Sequence, residues 1–196
     1  MISCPCLSSI SEAGTNSNNG PLSWGQTTTT RGVDFNASYS RDFGSGILAA
    51  TVAGDHIIDF YDRTSADAPE IEAYDRIFRP AAWRLRGSLG WDGREFSFYS
   101  FLNHTAGYED DRGANEVRVS SWTTVDITAA YEIDAPGKSL LDGTRFAVSV
   151  QNLFDKNPPF VLSDSLNGPG NSAAGYDPAN ANPFGRLISL QLVKRW

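Results

Sequence analysis

The chain has 196 residues, with 16 Lys+Arg against 23 Asp+Glu and a formal net charge of −7, a balance that argues against electrostatic binding of nucleic acid. No uninterrupted apolar run exceeds the stretch from Ile47 to Ala50, whereas a spanning helix needs about 20 such residues, so any membrane crossing must use strands. With 40% apolar residues, 18 Gly and 10 Pro, the composition is that of one ordered, turn-rich domain and not of a disordered chain.

The opening residues, Met1 to Pro5, contain no basic segment, no apolar stretch of roughly 7 to 15 residues and no small-residue cleavage site, so they do not read as a signal peptide. Cys4 and Cys6 lie one residue apart, where ring strain opposes a mutual disulfide. A zinc site would need wider spacing and two further ligands. From Gly32 to the end the apolar residues alternate with period two, which predicts an all-β chain of about seven strands.

The first strand, about 32–43, sets Val33, Phe35, Ala37 and Tyr39 against Asp34, Asn36, Ser38 and Ser40, and Gly44-Ser45-Gly46 turns it tightly. The second, about 47–61, places Leu48, Ala50, Val52, Ile58 and Phe60 opposite Thr51, Asp55 and Asp59, with Ile57 out of pattern. The third, about 81–91, puts Trp83, Leu85, Gly87, Leu89 and Trp91 on one face and Arg84, Arg86 and Ser88 on the other. Asp92-Gly93 turns it into the fourth, about 95–108, where Phe96, Phe98, Leu102, Ala106 and Tyr108 oppose Glu95, Ser97, Asn103 and Thr105. Tyr99 and Phe101 also fall on its polar side. The fifth, about 117–133, sets Val119, Val125, Ile127, Ala129 and Tyr131 against Arg118, Ser120, Trp122, Asp126, Thr128 and Glu132. The sixth, about 144–152, has Phe146, Val148 and Val150 opposite Arg145, Ser149 and Gln151. The last strand places Ile188, Leu190, Leu192 and Trp196 opposite Ser189, Gln191 and Arg195.

Short connections (44–46, 92–94, 134–143) alternate with long ones (62–80, 109–116, 153–184). In an antiparallel up-and-down meander this parity gathers the long loops at one end, as in outer-membrane barrels with short periplasmic turns and long external loops. Alternation alone does not name the solvent, since a soluble sandwich and a membrane barrel share it. Trp83 and Trp91 stand on one face about 26 Å apart at roughly 3.3 Å per residue. A tilt near 40° reduces this to a height of about 20 Å, close to the apolar band of about 25 Å between aromatic girdles. Two indoles in a sandwich core are the competing explanation. Strands of about 11 to 17 residues also exceed the usual five to six.

The final strand alternates into Lys194-Arg195-Trp196 and ends on an aromatic. Gly32-Val33-Asp34-Phe35, Trp122-Thr123-Thr124-Val125-Asp126 and Tyr176-Asp177-Pro178 each resemble segments of one family. So do Gly185-Arg186 and, most specifically, the run from Val150 and Gln151 through Asn152, Leu153, Phe154, Asp155, Lys156 and Asn157 to Pro158 and Pro159. Over roughly 24–196 their order and spacing resemble the C-terminal barrel region of TonB-dependent outer-membrane receptors. Physically, the two prolines end a strand as it leaves the ladder. The resemblance implies that Trp196 is an assembly signal read by the barrel assembly machinery. It also implies lipid, a plug domain, the TonB system and a small solute as partners, in the outer membrane of a Gram-negative bacterium. Such receptors carry a signal peptide, a TonB-contacting box, a plug and twenty-two strands, so the chain reads as a C-terminal piece, not a working transporter by itself. On this basis residues 1–31 are expected to be a loop or the remnant of a preceding strand, and 32–196 a partial barrel.

Chemistry is sparse. His56 and His104 lie in no nucleophile or metal-ligand motif, and Glu109-Asp110-Asp111 and Asp164 lack calcium-loop spacing. Asn36-Ala37-Ser38 and Asn103-His104-Thr105 match the glycosylation pattern but fall within strands. No enzyme activity and no cofactor are expected. The expected fold is an all-β antiparallel up-and-down meander forming the C-terminal part of a transmembrane β-barrel. Its membrane-facing residues are Trp83, Leu85, Leu89, Trp91, Phe96, Phe98, Val125, Ile127, Phe146, Val148, Ile188, Leu190 and Leu192. The expected function is energised uptake of a scarce solute, of siderophore, vitamin or carbohydrate class. The alternative is a soluble β-sandwich binding module, possibly for carbohydrate, with Trp83, Trp91 and Trp122 as core or stacking residues. The surroundings of Trp83, Leu85, Leu89 and Trp91 decide between them.

Overall fold

The computed structural model describes residues 2–3, 27–65, 67–134, 141–162 and 175–195. Trp196, Cys4, Cys6 and Asp164 lie outside the described residues. Among the described residues eleven strands occur in chain order: β1 (Ile2–Ser3), β2 (Thr27–Phe43), β3 (Gly46–Arg63), β4 (Ile71–Glu72), β5 (Trp83–Gly93), β6 (Phe96–Thr105), β7 (Tyr108–Asp110), β8 (Val117–Val119), β9 (Trp122–Ile133), β10 (Thr144–Gln151) and β11 (Leu187–Lys194). No helix occurs among the described residues. One antiparallel sheet runs in the order β1-β2-β3-β5-β6-β9-β10-β11, with β4 beside β3, and β7-β8 forms a separate two-stranded sheet. Consecutive long strands are neighbours throughout, which makes the sheet an up-and-down meander.

The turns explain this order. Gly44 (φ 63°) and Gly143 (φ 66°) take the left-handed conformation that a tight strand reversal demands and that only glycine adopts at no steric cost. The hairpin turns thus gather at one end of the sheet, and the strand ends Arg63, Trp83, Thr105, Trp122, Gln151 and Leu187, from which the longer connections leave and return, lie at the other. β2 begins at Thr27, within the segment read from sequence as a loop or strand remnant. Its four β-branched threonines, Thr27 to Thr30, suit a pleated ladder and pair with β3 as far as Arg63.

Three local readings need correction. A register shift between Arg31 and Gly32 inserts an extra residue in β3 near Ile58. Such a bulge reverses side-chain parity, so Asp59 and Tyr61, opposite Arg31 and Thr29, continue the side of Val52 in place of Ile58 and Phe60. The expected fourth strand stops at Thr105, and Tyr108 belongs to β7. The expected fifth strand is two, β8 and β9, so Val119 leaves the apolar row of Val125 and Ile127. At Gly107, where the chain leaves the ladder, the backbone passes so close that a Cβ would sit 2.5 Å from the Val119 carbonyl oxygen, an approach that glycine permits.

The sheet is a single layer. Leu89 is 50% exposed and Trp83 42%, and no second sheet covers them among the described residues. A sandwich would bury both, and the described residues bury neither. Among the described residues, the one cluster of buried apolar side chains lies among the long loops. It joins Ile77, Ala81, Tyr108, Val119 and Val161, with Phe78 packed against it.

Candidate functional site

Register places each expected membrane-facing residue. Trp83, Leu85, Leu89 and Trp91 pair with His56, Gly54, Ala50 and Leu48 on one side. Leu85, Leu89 and Trp91 pair with His104, Ser100 and Phe98 on the other. The same face continues through Phe96 opposite Tyr131, Leu102 opposite Val125 and Ser100 opposite Ile127. It then passes to Phe146 opposite Tyr131 and Val148 opposite Ala129, and finally to Leu192, Leu190 and Ile188 on β11. All thirteen positions therefore share one side of the sheet. Between the levels of Trp83 and Trp91 this side carries no Asp, Glu, Lys or Arg on β3, β5 or β6, only Ala50, Val52, Gly54, Leu85, Gly87, Leu89, Ser100, Leu102 and His104.

Aromatic rings mark both limits of this band. Near the long loops Trp83 stacks on His56 with centroids 4.0 Å apart, and the His56 ring is held by the Ala82 carbonyl at 3.0 Å. Near the turns Trp91 packs against Phe96 at 6.1 Å and donates its indole N–H to the Phe43 carbonyl at 3.2 Å. Indoles with one wet edge suit a boundary between apolar and polar surroundings.

The opposite face is polar and internally bonded. Asn103 Nδ2 donates to Asp126 Oδ2 at 2.9 Å, Thr128 and Ser149 hydroxyls share a bond of 3.0 Å, and Arg195 pairs with Glu132 at 3.1 Å. Arg84 reaches upward to the Ala179 carbonyl (3.2 Å) and Asn180 Oδ1 (3.0 Å). Arg86 lies over the Phe101 ring, 4.8 Å from its centroid.

The run from Asn152 to Pro159 forms a clasp. Asn152 (φ 50°) and Asp155 (φ 54°) both take the left-handed conformation, which short amide and carboxylate side chains tolerate best among residues with a Cβ. The Asn152 side chain bonds both the N–H and the carbonyl of Lys156, at 2.9 and 3.0 Å. Its own N–H goes to Asp126 Oδ1 at 2.8 Å, and Leu153 N–H to the Val125 carbonyl at 2.7 Å. Asp155 Oδ1 accepts the Arg186 N–H at 2.8 Å and comes so near Gly185 that a Cβ there would lie 2.6 Å away. Segments far apart in sequence, around Asp126, Asn152 and Gly185, are thus parts of one device that launches β11. Phe154 is exposed, and Pro158 and Pro159 lead away from the ladder.

A cap unites the three long connections. Asp177, 1% exposed, accepts the N–H groups of Phe78 (3.1 Å) and Ala179 (2.8 Å) and the Asn180 amide (2.8 Å). Asn180 Oδ1 accepts the Ala81 N–H at 3.1 Å, while its amide donates to the Arg79 carbonyl at 2.7 Å. The backbone of Ile77 and of Asp75 pairs with Glu109. Burial, together with the neighbouring Asp177, pushes the Tyr108 phenol well above its ordinary value of 10. Hydrogen bonds from the Arg112 side chain (2.8 and 2.7 Å) hold Asp110 below its ordinary 3.8. Arg112 also reaches the Leu162 carbonyl at 2.8 Å. Tyr176-Asp177-Pro178 stood out in sequence only by resemblance; its partner Asn180 carried no signal there, since a hub of backbone bonds leaves no periodicity.

No grouping of three or more metal-ligating side chains exists among the described residues. The family model described as TonB dependent receptor-like, beta-barrel matches residues 6–153. No curated protein and no solved structure matches the chain. The matched segment runs from before β2 to the first turn of the clasp, and it covers strands whose register produces one apolar and one polar face. The chain belongs to the family of TonB-dependent receptor-like β-barrels.

Proposed function

We propose that this chain supplies C-terminal wall and external loops to a receptor that moves a scarce solute across the outer membrane of a Gram-negative bacterium, with energy delivered through TonB. One observation carries the reading: an apolar band without Asp, Glu, Lys or Arg on β3, β5 and β6, bounded by rings, on a single-layer sheet with no described residue packed over it. Water would penalise such a face heavily, at roughly 25 cal/mol per Å² of apolar area left exposed, whereas lipid removes the penalty. In this reading the apolar face meets lipid, the polar face lines a lumen that holds the plug domain, and Trp196 engages the barrel assembly machinery. The long connections face the exterior and meet the solute. Neighbouring strands close the two edges, because an unpaired backbone group in hydrocarbon costs several kcal/mol. Bond-making chemistry has no place in this function.

The test compares Leu89→Arg with Ser88→Arg in the outer membrane. A charge on a lipid face costs about 2 to 4 kcal/mol at the midplane, while a lumenal one stays hydrated. Heat-modifiable migration should fall sharply for Leu89→Arg and hold for Ser88→Arg. Equal yields would refute the lipid assignment. Cysteine labelling of intact cells gives the orientation: a label entering at Asp92 from outside would invert it.

A further inference from the structure

We infer that Arg84 is a two-position latch: its guanidinium holds the Asp177–Asn180 turn of the cap to the wall, and swings into a hollow before Asp55 when that turn lifts away. The meaning of the movement, a gate at the mouth of a lumen, rests on the polar face lining that lumen; the latch itself does not. Among the described residues, Arg84 is the one residue of the main sheet whose side chain bonds this turn. A single nitrogen, Nη2, serves both the Ala179 carbonyl (3.2 Å) and Asn180 Oδ1 (3.0 Å), and both acceptors are neutral. The cap does not need the contact for its own folding, because Asn180 keeps Ala81, Arg79 and Asp177 as partners. The turn can therefore leave the wall without coming apart.

The alternative partner stands on the neighbouring strand. Register sets Asp55 directly opposite Arg84, and Asp34 directly opposite Asp55. Facing Cβ atoms lie about 5 Å apart, a gap that an arginine side chain spans. Asp55 feels the opposite charge of Arg84 and the like charge of Asp34, yet no hydrogen bond or ion pair joins it to a described residue. Like charges set face to face destabilise a ladder. Beside them lies a hollow of about 340 Å³ whose walls include Asp34, Ala53, Asp55, Arg84 and Arg86, so the Arg84 guanidinium has room to turn down. Arg86 does not fill the role, because it leans the other way, over the Phe101 ring of β6 at 4.8 Å, and faces the neutral Ala53 and Asn103 across the ladder. On β6 Arg84 faces only Thr105. Two contacts to neutral acceptors at the cap are thus set against one contact to a carboxylate, which adds the attraction of opposite charges and relieves the repulsion between Asp34 and Asp55. Opposed contributions of similar size are the condition for two populated states.

The intact receptor, purified from outer membranes in detergent, carries spin labels on Pro178→Cys in the cap and Asp92→Cys in a turn, with Cys4 and Cys6 replaced by Ser. Pulsed electron spin resonance reads the distance between them. Otherwise unaltered receptor should show two distances at low ionic strength, the shorter with the latch at the cap and the longer with Arg84 in the hollow. Asp55→Asn, which removes the hollow's carboxylate alone, should lower the ratio of long to short about tenfold, the scale of one charge-assisted contact. Added salt screens a pair of charges more than a charge facing a neutral acceptor, so it should lower the ratio as well, and have no effect on Asp55→Asn. Arg84→Gln removes both contacts of the latch together and should move the ratio less than Asp55→Asn does. In the Arg84→Gln background Asp55→Asn should change nothing, which a merely structural Asp55 would not show. A single distance in the unaltered receptor, a rise of the longer distance in Asp55→Asn, or an Asp55→Asn effect that persists without Arg84 overturns the proposal. Should Arg84→Gln fail to assemble, the salt response decides, and a ratio indifferent to salt overturns it equally. Failure of the barrel reading itself shows earlier, as wild type without heat-modifiable migration.

Discussion

Leu190 and Val161 are both aliphatic and both lie in the last third of the chain, yet Leu190 is 79% exposed and Val161 3%. Leu190 stands on the one-layered sheet, paired with Val148 and covered by no described residue. Val161 belongs to the cap, packed with Ile77, Ala81, Tyr108 and Val119. The cap is organised like a small water-soluble domain, with apolar side chains inside and the polar hub Asp177–Asn180 satisfied by backbone. The sheet reverses that order, keeping its hydrogen-bonded polar side chains on one face and its aliphatic ones outermost on the other. Two rules for burial thus operate a few residues apart, and the change of rule falls at the ring pair His56–Trp83.

The largest effect that separates the two regions is expected from Tyr108→Ala. Truncating a buried aromatic costs about 3 to 5 kcal/mol. Hydrogen exchange should rise at Ile77 and Glu109, whose backbone groups pair with each other, while migration of the sheet stays that of wild type. A loss of barrel assembly instead would mean that cap and sheet fold as one unit. Asp177→Ala sharpens the same contrast at about 1 to 3 kcal/mol, the penalty of stranding buried donors. Limited proteolysis should then open the connections near Phe78 and Ala81 before any strand.

The cap should also respond to pH where the sheet does not. The folded-state value of Tyr108 is raised, so the stability it contributes is complete below about 10, the unfolded value, and declines as pH climbs from there toward the folded one. Its exchange protection should weaken in alkali for wild type and be indifferent to alkali in Tyr108→Phe. Asp110 works in the opposite sense: its value is depressed by Arg112, so its contribution is complete above about 3.9, the unfolded value, and disappears as pH falls through the lower folded value. The smallest effect is expected from Gly185→Ala, which displaces the Asp155 carboxylate from the Arg186 N–H at a cost of about 1 kcal/mol. It should fray the start of β11 alone.

The sheet was legible because a single-layer wall repeats one rule at every second residue. Leu89 beside Ser88 and Leu190 beside Ser189 display it locally, and register had only to align it. The cap was not legible for the same reason in reverse. Tyr108 and Val119 continue the alternation of the neighbouring strands on paper, so period two absorbed them into β6 and β9. Gly107 was the available sign that the ladder had ended. At Ile58 one inserted residue flips every later side chain, and Ile57, which broke the pattern in sequence, was the trace of it. Asp155 and Gly185 were singled out as separate motifs thirty positions apart; that they touch is a tertiary fact with no sequence period behind it.

The strand ends record a further property. From the ladder row through Ile47, Asp92, Ser97, Ala130, Ala147 and Gln191, the strands extend toward the cap as far as Arg63, Trp83, Thr105, Trp122, Gln151 and Leu187. The far boundary descends like a staircase from β3 to β11, and the turn-side boundary moves the same way, from Gly46 on β3 to Lys194 on β11. A flat slab cutting strands inclined by about 35 to 45° shifts by roughly one residue at each neighbour, so both boundaries must drift in one sense. The cap-side drift is steeper because β2 and β3 run past Gly32 and Ile57 to carry β4 and the cap above the slab. In the proposed barrel the inclination of the wall is therefore written into where its strands begin and end, and β2 and β3 form a raised lip on one side of the mouth.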